Sequence, residues 1–341
     1  MRLLAAPDKF RGTIDATSAA ASICRAAATC GWEVRSLPLS DGGEGFGAIL
    51  AGHLGAAPLH VETVGPLGEA ITASFFLAQD RSLAIIEMAE AAGRACLPRP
   101  TGDQPLDAST AGVGHLITAA VRSGVATVIV GCGGSASTDG GLGAIEVIEA
   151  AGGLGSVELI VATDVTTHFV DAAREFGPQK GANSAQVALL EERLRQLVEL
   201  YDLRFGAAIA DLERSGAAGG LAGGLAALGG RLVSGFDLVA EAADLDTALE
   251  DADLVVTGEG HFDLSSIEGK VIGGLLQRAP AETEILIVAG SLDPEALDRA
   301  RHQSNSIVTG LSMVETVGED RAMAEPRRVL EDLTTQFLAR R

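Results

Sequence analysis

Short apolar runs in this chain repeatedly end in glycine-rich segments that carry Ser, Thr, Asp or Glu, and a helical pattern usually follows. Residues 2–6 run into Pro7-Asp8-Lys9, residues 126–131 into Gly133-Gly134-Ser135, and residues 159–162 into Thr163-Asp164. Residues 254–256 lead to Thr257-Gly258-Glu259-Gly260, and residues 285–289 to Gly290-Ser291. Runs this short and this apolar read as strands buried on both faces, which means a parallel sheet with helical crossovers. Helical patterns over residues 15–29, with Asp15 or Thr17 as N-cap, over 110–122, 185–202 and 321–338 supply those crossovers. The Gly/Ala-rich stretch 215–230 reads as a tightly packed helix. Residues 59–64, 71–77 and 83–88 are strand-like and closely spaced, as in an antiparallel meander.

At 341 residues the chain is long for one core. The rhythm implies an α/β fold of two domains. Residues 1–65 and 240–341 form a discontinuous, doubly wound parallel-sheet domain. Residues 66–239 are inserted as a mixed α/β domain, with the active site in the cleft between them, at the carboxyl ends of strands. A net charge of −21 argues against a nucleic-acid binder and against docking on anionic lipid. An acidic chain that handles anions must concentrate its few Lys and Arg locally or recruit a divalent cation. Cys24, Cys30, Cys96 and Cys132 show neither C-x-x-C nor zinc spacing and read as buried thiols of a reducing compartment. The apolar run at the N-terminus breaks too early for a signal peptide, and no stretch approaches the ~20 apolar residues that span a bilayer. A cytoplasmic protein is expected.

Several loops carry candidate chemistry. The 133–143 loop has five glycines, three hydroxyls and one acid. It reads either as a phosphate cradle, with Gly133, Gly134, Ser135 and Ser137 around the anion and Asp139 near a metal or the attacking hydroxyl, or as a turn that caps the next helix. Asp41-Gly42-Gly43-Glu44-Gly45 sets two acids across a Gly-Gly turn, as Mg²⁺ ligands, as a general base, or as a solvated turn. Lys9 and Arg11 follow the first strand as an anion site, unless Lys9 merely pairs with Asp8. Lys180 sits in a constrained loop, facing phosphate or carboxylate, or only solvent. Glu259 and Asp263 follow a buried strand, where functional acids gather. His261 beside them reads more simply as a structural or surface histidine. Gly269-Lys270 closes this segment. No Walker A spacing and no Rossmann fingerprint opens the first βα turn, so a nucleotide would sit in an unusual cradle.

Taken in order, the segments resemble the glycerate kinase family, of the bacterial glycerate 2-kinase type. They are Ala6-Pro7-Asp8-Lys9-Phe10-Arg11-Gly12-Thr13, Pro38-Leu39-Ser40-Asp41-Gly42-Gly43-Glu44-Gly45, Ser109-Thr110-Ala111-Gly112, the 133–143 loop, Thr163-Asp164-Val165, Phe176-Gly177-Pro178-Gln179-Lys180-Gly181-Ala182, Ala217-Ala218-Gly219-Gly220, Ser234-Gly235-Phe236-Asp237 and Thr257-Gly258-Glu259-Gly260. The resemblance implies a flavodoxin-like first domain. It implies ATP and Mg²⁺ as co-reactants, D-glycerate as the small-molecule partner, and phosphoglycerate as product, the 2-phosphate favoured. It also implies site roles: Asp164 or Asp41 as base, then Asp139; Lys9, Arg11, Ser40 and Lys180 on the substrate; Glu44, Glu259 or Asp263 on the metal. A monomer or homodimer is expected, with no nucleic acid and no membrane.

Three departures bear on the site. The family usually continues Asn-Pro-Leu after Thr163-Asp164-Val165, whereas this chain has Thr166-Thr167-His168-Phe169-Val170 and is shorter. The connection at 152–157 is also trimmed. His261 stands where Arg is usual, and Ser265-Ser266 where Gln-Thr is usual. These changes motivate two other readings, a kinase for another small hydroxy acid and a catalytically degenerate ligand-binding homologue.

Overall fold

The computed structural model describes residues 1–267, 270–281 and 283–341. Gly269 of the Gly269-Lys270 pair lies outside the described residues. In chain order the first strands are β1 (Arg2–Ala5), β2 (Glu33–Ser36), β3 (Ala56–Val64), β4 (Ala70–Ala78) and β5 (Leu83–Glu87). Then come β6 (Thr127–Gly131), β7 (Glu158–Thr163), β8 (Arg231–Ser234) and β9 (Leu254–Thr257). The last are β10 (His261–Phe262), β11 (Glu284–Ala289), β12 (Ser291–Leu292) and β13 (Ile307–Ser312). They fold into two compact units, Met1–Asp41 with Phe236–Arg341, and Gly42–Gly235.

In the first unit five parallel strands run in the order β13-β11-β9-β1-β2. Counted within the unit this is 2-1-3-4-5, the flavodoxin-like doubly wound order. The apolar runs are central because every residue of β9, and all but the first of β1 and β11, is buried. β2 has mostly exposed side chains and forms an edge. Leu3, Ala5, Val256, Leu286 and Val288 face a core shared with Ile23 and Ala27 of the helix Ala16–Thr29 and with Val329 and Leu330 of the helix Pro326–Leu338. Asp15 caps the first of these helices, accepting from Ser18 N at 2.7 Å. The helical pattern over 321–338 is two helices, Glu319–Ala324 and Pro326–Leu338. Pro326 lacks an N–H and holds the residue before it out of the helical region, which separates them.

The second unit is a six-stranded sheet, β3-β4-β5-β6-β7-β8. β3, β4 and β5 pair antiparallel as a meander, and β5 through β8 are parallel. β3 pairs with β4 from Ala56↔Ala78 to Val64↔Ala70. The helix Phe46–Leu54 and β3 therefore belong to this unit, and the chain changes unit after Asp41 where the sequence suggests residue 65. The return falls at Phe236, where the sequence suggests residue 240. The Gly/Ala-rich stretch is a 3-10 turn Ala217–Gly220 leading into the helix Leu221–Ala227. Among the described residues no helix is long and apolar enough to cross a membrane.

Candidate active site

In the second unit the 133–143 loop begins where β6 leaves the sheet. Cys132 N still donates to Ala162 O of β7, at 2.9 Å. Beyond it, among the described residues, no acceptor meets the backbone N–H of Gly133, Gly134, Ser137 or Thr138. Orphaned N–H groups are rare in folded chains, and several along one glycine-bearing loop form an anion receptor. Ser135 and Ser137 are buried, and Ser137 Oγ has no hydrogen-bond partner among the described residues. Glycine is required at 133, since a Cβ there would lie 2.6 Å from Gly43 Cα.

The rest of the loop is anchored. Asp139, expected at phosphate, metal or hydroxyl, is instead engaged by protein donors. Its Oδ2 accepts from Thr110 N and Thr110 Oγ1, both at 2.8 Å, and from Gly143 N at 3.3 Å, and Oδ1 accepts from Gly141 N at 3.2 Å. One carboxylate thus ties the starts of the helices Ala111–Arg122 and Leu142–Ala150 together, which is the capping alternative. Tyr201, from the helix Ser184–Phe205, donates to Gly140 O at 3.0 Å. Lys180 is buried at the end of a 3-10 turn, and its Nζ donates to Ser137 O at 2.6 Å. Burial pushes this ammonium down to about 7, against the opposing pull of Asp139, and Arg94 pushes it the same way as burial. Gly219 closes over the same point. Its carbonyl accepts from Gly140 N at 3.1 Å, and a Cβ on it would lie 2.2 Å from Ser137 O. Lys180 therefore supports the loop through the Ser137 carbonyl.

Asp164 follows β7 and is half-buried. Burial and the Asp164 charge both push the Cys132 thiol up, which puts that carboxylate near the start of the loop. The 42–45 turn joins them, since a Cβ at Gly42 would lie 3.4 Å from Thr163 C and 3.6 Å from Asp164 N. Glu44 itself is exposed. Glu87, which sequence reasoning passed over, accepts from Gly45 N at 3.2 Å and Gly47 N at 2.7 Å. It caps the helix Phe46–Leu54, with burial pushing its carboxyl up.

In the first unit the loops after β1, β2 and β9 are laced together: Asp8 N donates to Gly258 O at 2.9 Å and Leu39 N to Pro7 O at 3.0 Å. Asp8 and Asp41 are buried. Burial, then the Asp41 charge, pushes Asp8 up to about 7, against Lys9. Lys9 Nζ lies 3.9 Å from Asp41 Oδ1, while its backbone N donates to Asp8 Oδ1 at 2.7 Å. Lys9 therefore pairs with Asp41, a partner that neither the anion-site reading nor its Asp8 alternative named. Asp8 is the acid that sequence reasoning undervalued, and its place at the end of a buried strand was the available signal. Ser40 is buried beside Asp41, and Arg11 is exposed.

Burial also pushes Glu259 up to about 7, opposed by Ser266 and Lys270. Glu259 Oε1 is buried with no hydrogen-bond partner among the described residues. Asp263 differs. Its Oδ1 accepts from Ser265 N at 2.8 Å and Ser265 Oγ at 2.6 Å, bonds that hold its carboxyl below the usual range. Its Oδ2 lies 3.6 Å from His261 Nε2, and His261 Nδ1 lies 2.6 Å from Ser291 Oγ.

Among the described residues no three His, Cys, Asp or Glu side chains form a ready metal cage. Mg²⁺ in phosphoryl-transfer sites needs only one or two carboxylates, the rest being water and phosphate oxygens. The orphaned Glu259 Oε1, repelled by Asp41, suits that role, whereas Glu44 is exposed and Asp263 is engaged with Ser265.

The chain matches the model of the Glycerate kinase family over residues 3–151 and 145–340. It is 32% identical to the glycerate 2-kinase of Escherichia coli K12, with 94% of this chain and 93% of that protein covered. It is 33% identical to the glycerate kinase of Bacillus subtilis 168, with 94% of each covered. Among solved structures, the putative glycerate kinase 2 of Salmonella typhimurium LT2 superposes with a TM-score of 0.82 at 30% identity, over 99% of this chain and 97% of that one. A shared α/β fold, glycine-bearing loops at the strand ends, and likeness over almost the whole length lead to one conclusion: the chain is a kinase and belongs to the glycerate kinase family.

Proposed function

We propose that this enzyme transfers the γ-phosphoryl group of ATP to D-glycerate, with Mg²⁺, and forms 2-phosphoglycerate. The observation that carries the reading is the run of unpartnered N–H groups on the buried 133–143 loop, in a chain of this family. Likeness to relatives named glycerate kinase supports the acceptor, and likeness to the E. coli glycerate 2-kinase supports the 2-position.

Phosphoryl transfer depends on positioning and charge neutralisation more than on covalent help from the protein. The N–H groups of Gly133, Gly134 and Ser137 and the Ser135 hydroxyl receive phosphate oxygens. Lys9, with Arg11 and Ser40 alongside, balances negative charge in the first unit. Lys180 acts through Ser137 O. Mg²⁺, when bound, would neutralise phosphate charge, and Glu259 would hold it. The acceptor hydroxyl oxygen attacks the γ-phosphorus, the bond to the β-phosphate oxygen breaks, and ADP leaves. With Asp139 engaged in capping, the hydroxyl proton falls to Asp164, beside the 42–45 turn. Asp41, held against Lys9, is the second candidate. The free cysteines suit the reducing, ATP-rich cytoplasm.

The test is Mg²⁺-dependent ADP release over a panel of small hydroxy acids, with the phosphate position of each product read by NMR. D-Glycerate as best acceptor with a 2-phosphate product is expected. A better acceptor would transfer the reading to that acid. Binding of ATP or glycerate with no turnover on any acid would mark a ligand-binding homologue.

A further inference from the structure

Arg214 is held at φ +74°, in the left-handed region. The chain otherwise reserves this region mainly for glycine, and among the described residues three other side chains share it. Arg81 sits in the turn between β4 and β5, Asp244 is a short polar N-cap, and Ala218 lies within the glycine turn before Leu221. A long branched-head side chain in this conformation is strained relative to glycine. At 214 the backbone alone would be served better by glycine.

The side chain lies over the loop that follows β7. Arg214 N donates to Thr166 O at 3.2 Å, and its Nη1 donates to Thr163 O at 3.3 Å. Gly216 N continues the contact to Thr167 O at 2.9 Å. The guanidinium is thus fixed at the carboxyl end of a central parallel strand, next to Asp164. It is half-buried, and among the described residues it makes no ion pair. Arg94 and Arg193 are also half-buried without an ion pair among the described residues, but of these three only Arg214 donates to the last carbonyl of a parallel strand. A guanidinium presents five donors in a planar fork matched to carboxylate, and one meeting with a backbone carbonyl leaves most of that fork unused.

We propose that Arg214 binds the carboxylate of the hydroxy-acid acceptor and so sets the enzyme's demand for an anionic substrate. This rests on the kinase reading above. The strain makes the test clean, because Arg214→Gly removes the fork and relieves the backbone together. The expected result is a melting temperature equal to or above that of the parent and a KM for D-glycerate raised at least tenfold. The KM for ATP stays within twofold, and Arg214→Lys is intermediate. An unchanged KM for D-glycerate would overturn the proposal. So would a parallel rise in both KM values with a lower melting temperature, since that pattern belongs to a residue that only shapes the loop. Parent enzyme that releases no ADP with D-glycerate would refute D-glycerate as the acceptor, a result separable from either of these.

Discussion

Asp139 and Asp164 carry the same carboxylate in different surroundings. Asp139 accepts four hydrogen bonds from two helix starts, so its replacement is a stability event. Asp139→Ala should destabilise the fold by on the order of 3 kcal/mol, since charged hydrogen bonds and caps are each worth ~1–2 kcal/mol. Urea unfolding reads this directly. Asp164 is half-buried at a strand end, and Asp164→Asn should leave the melting temperature nearly unchanged. Its kcat should fall roughly 10²- to 10⁴-fold, the range for loss of a general base. Turnover near the parent value would remove Asp164 from the mechanism. The sequence alone ranks both acids as site candidates. Their separation depends on Thr110, whose N–H and hydroxyl reach Asp139 from another helix. Local spacing holds no trace of such a partner.

At the scale of elements, the apolar strands were legible because burial on both faces leaves a continuous hydrophobic run, as in β9 and β11. The 133–143 loop stands out in the sequence as a candidate anion loop through its glycines. Its supports do not, because Lys180 Nζ, Tyr201 Oη and Gly219 O arrive from three separate segments. Close packing against the 42–45 turn gives a sharp expectation. Gly133→Ala places a methyl group on Gly43 backbone, which cannot retreat as a side chain can. The variant should fold with a modest loss of stability and lose most of its activity, with a higher KM for ATP. Kinetics indistinguishable from the parent would show that the cradle does not depend on this contact.

For the whole molecule, Lys180 makes stability depend on pH. Its folded value is about 7 against an ordinary 10.5, so between those limits the unfolded chain holds a proton that the native protein lacks. Unfolding free energy should therefore rise with pH across that window, by up to about 1.4 kcal/mol per pH unit from this one group. Lys180→Met should remove that part of the slope. Urea titrations at pH 7.5 and 9.5 check it, and parallel curves for parent and variant would show that the lysine keeps its charge in the fold. The two-unit organisation could be read from the return of the β-α rhythm near the C-terminus. The change of unit at Asp41 could not, because the strand that claims residues 56–64 finds its partner only at residues 70–78.

The second unit begins at Gly42 and ends at Gly235, and a Cβ at Gly42 would lie 3.0 Å from Gly235 Cα. Its two ends therefore emerge side by side. A segment that leaves and rejoins its host at neighbouring points adds little loop-closure entropy to the host, however long it is. It can also be exchanged as a cassette. A few flexible residues from Asp41 to Phe236 would suffice to rejoin the five-stranded sheet, and the excised piece could be grafted into any exposed turn of similar span.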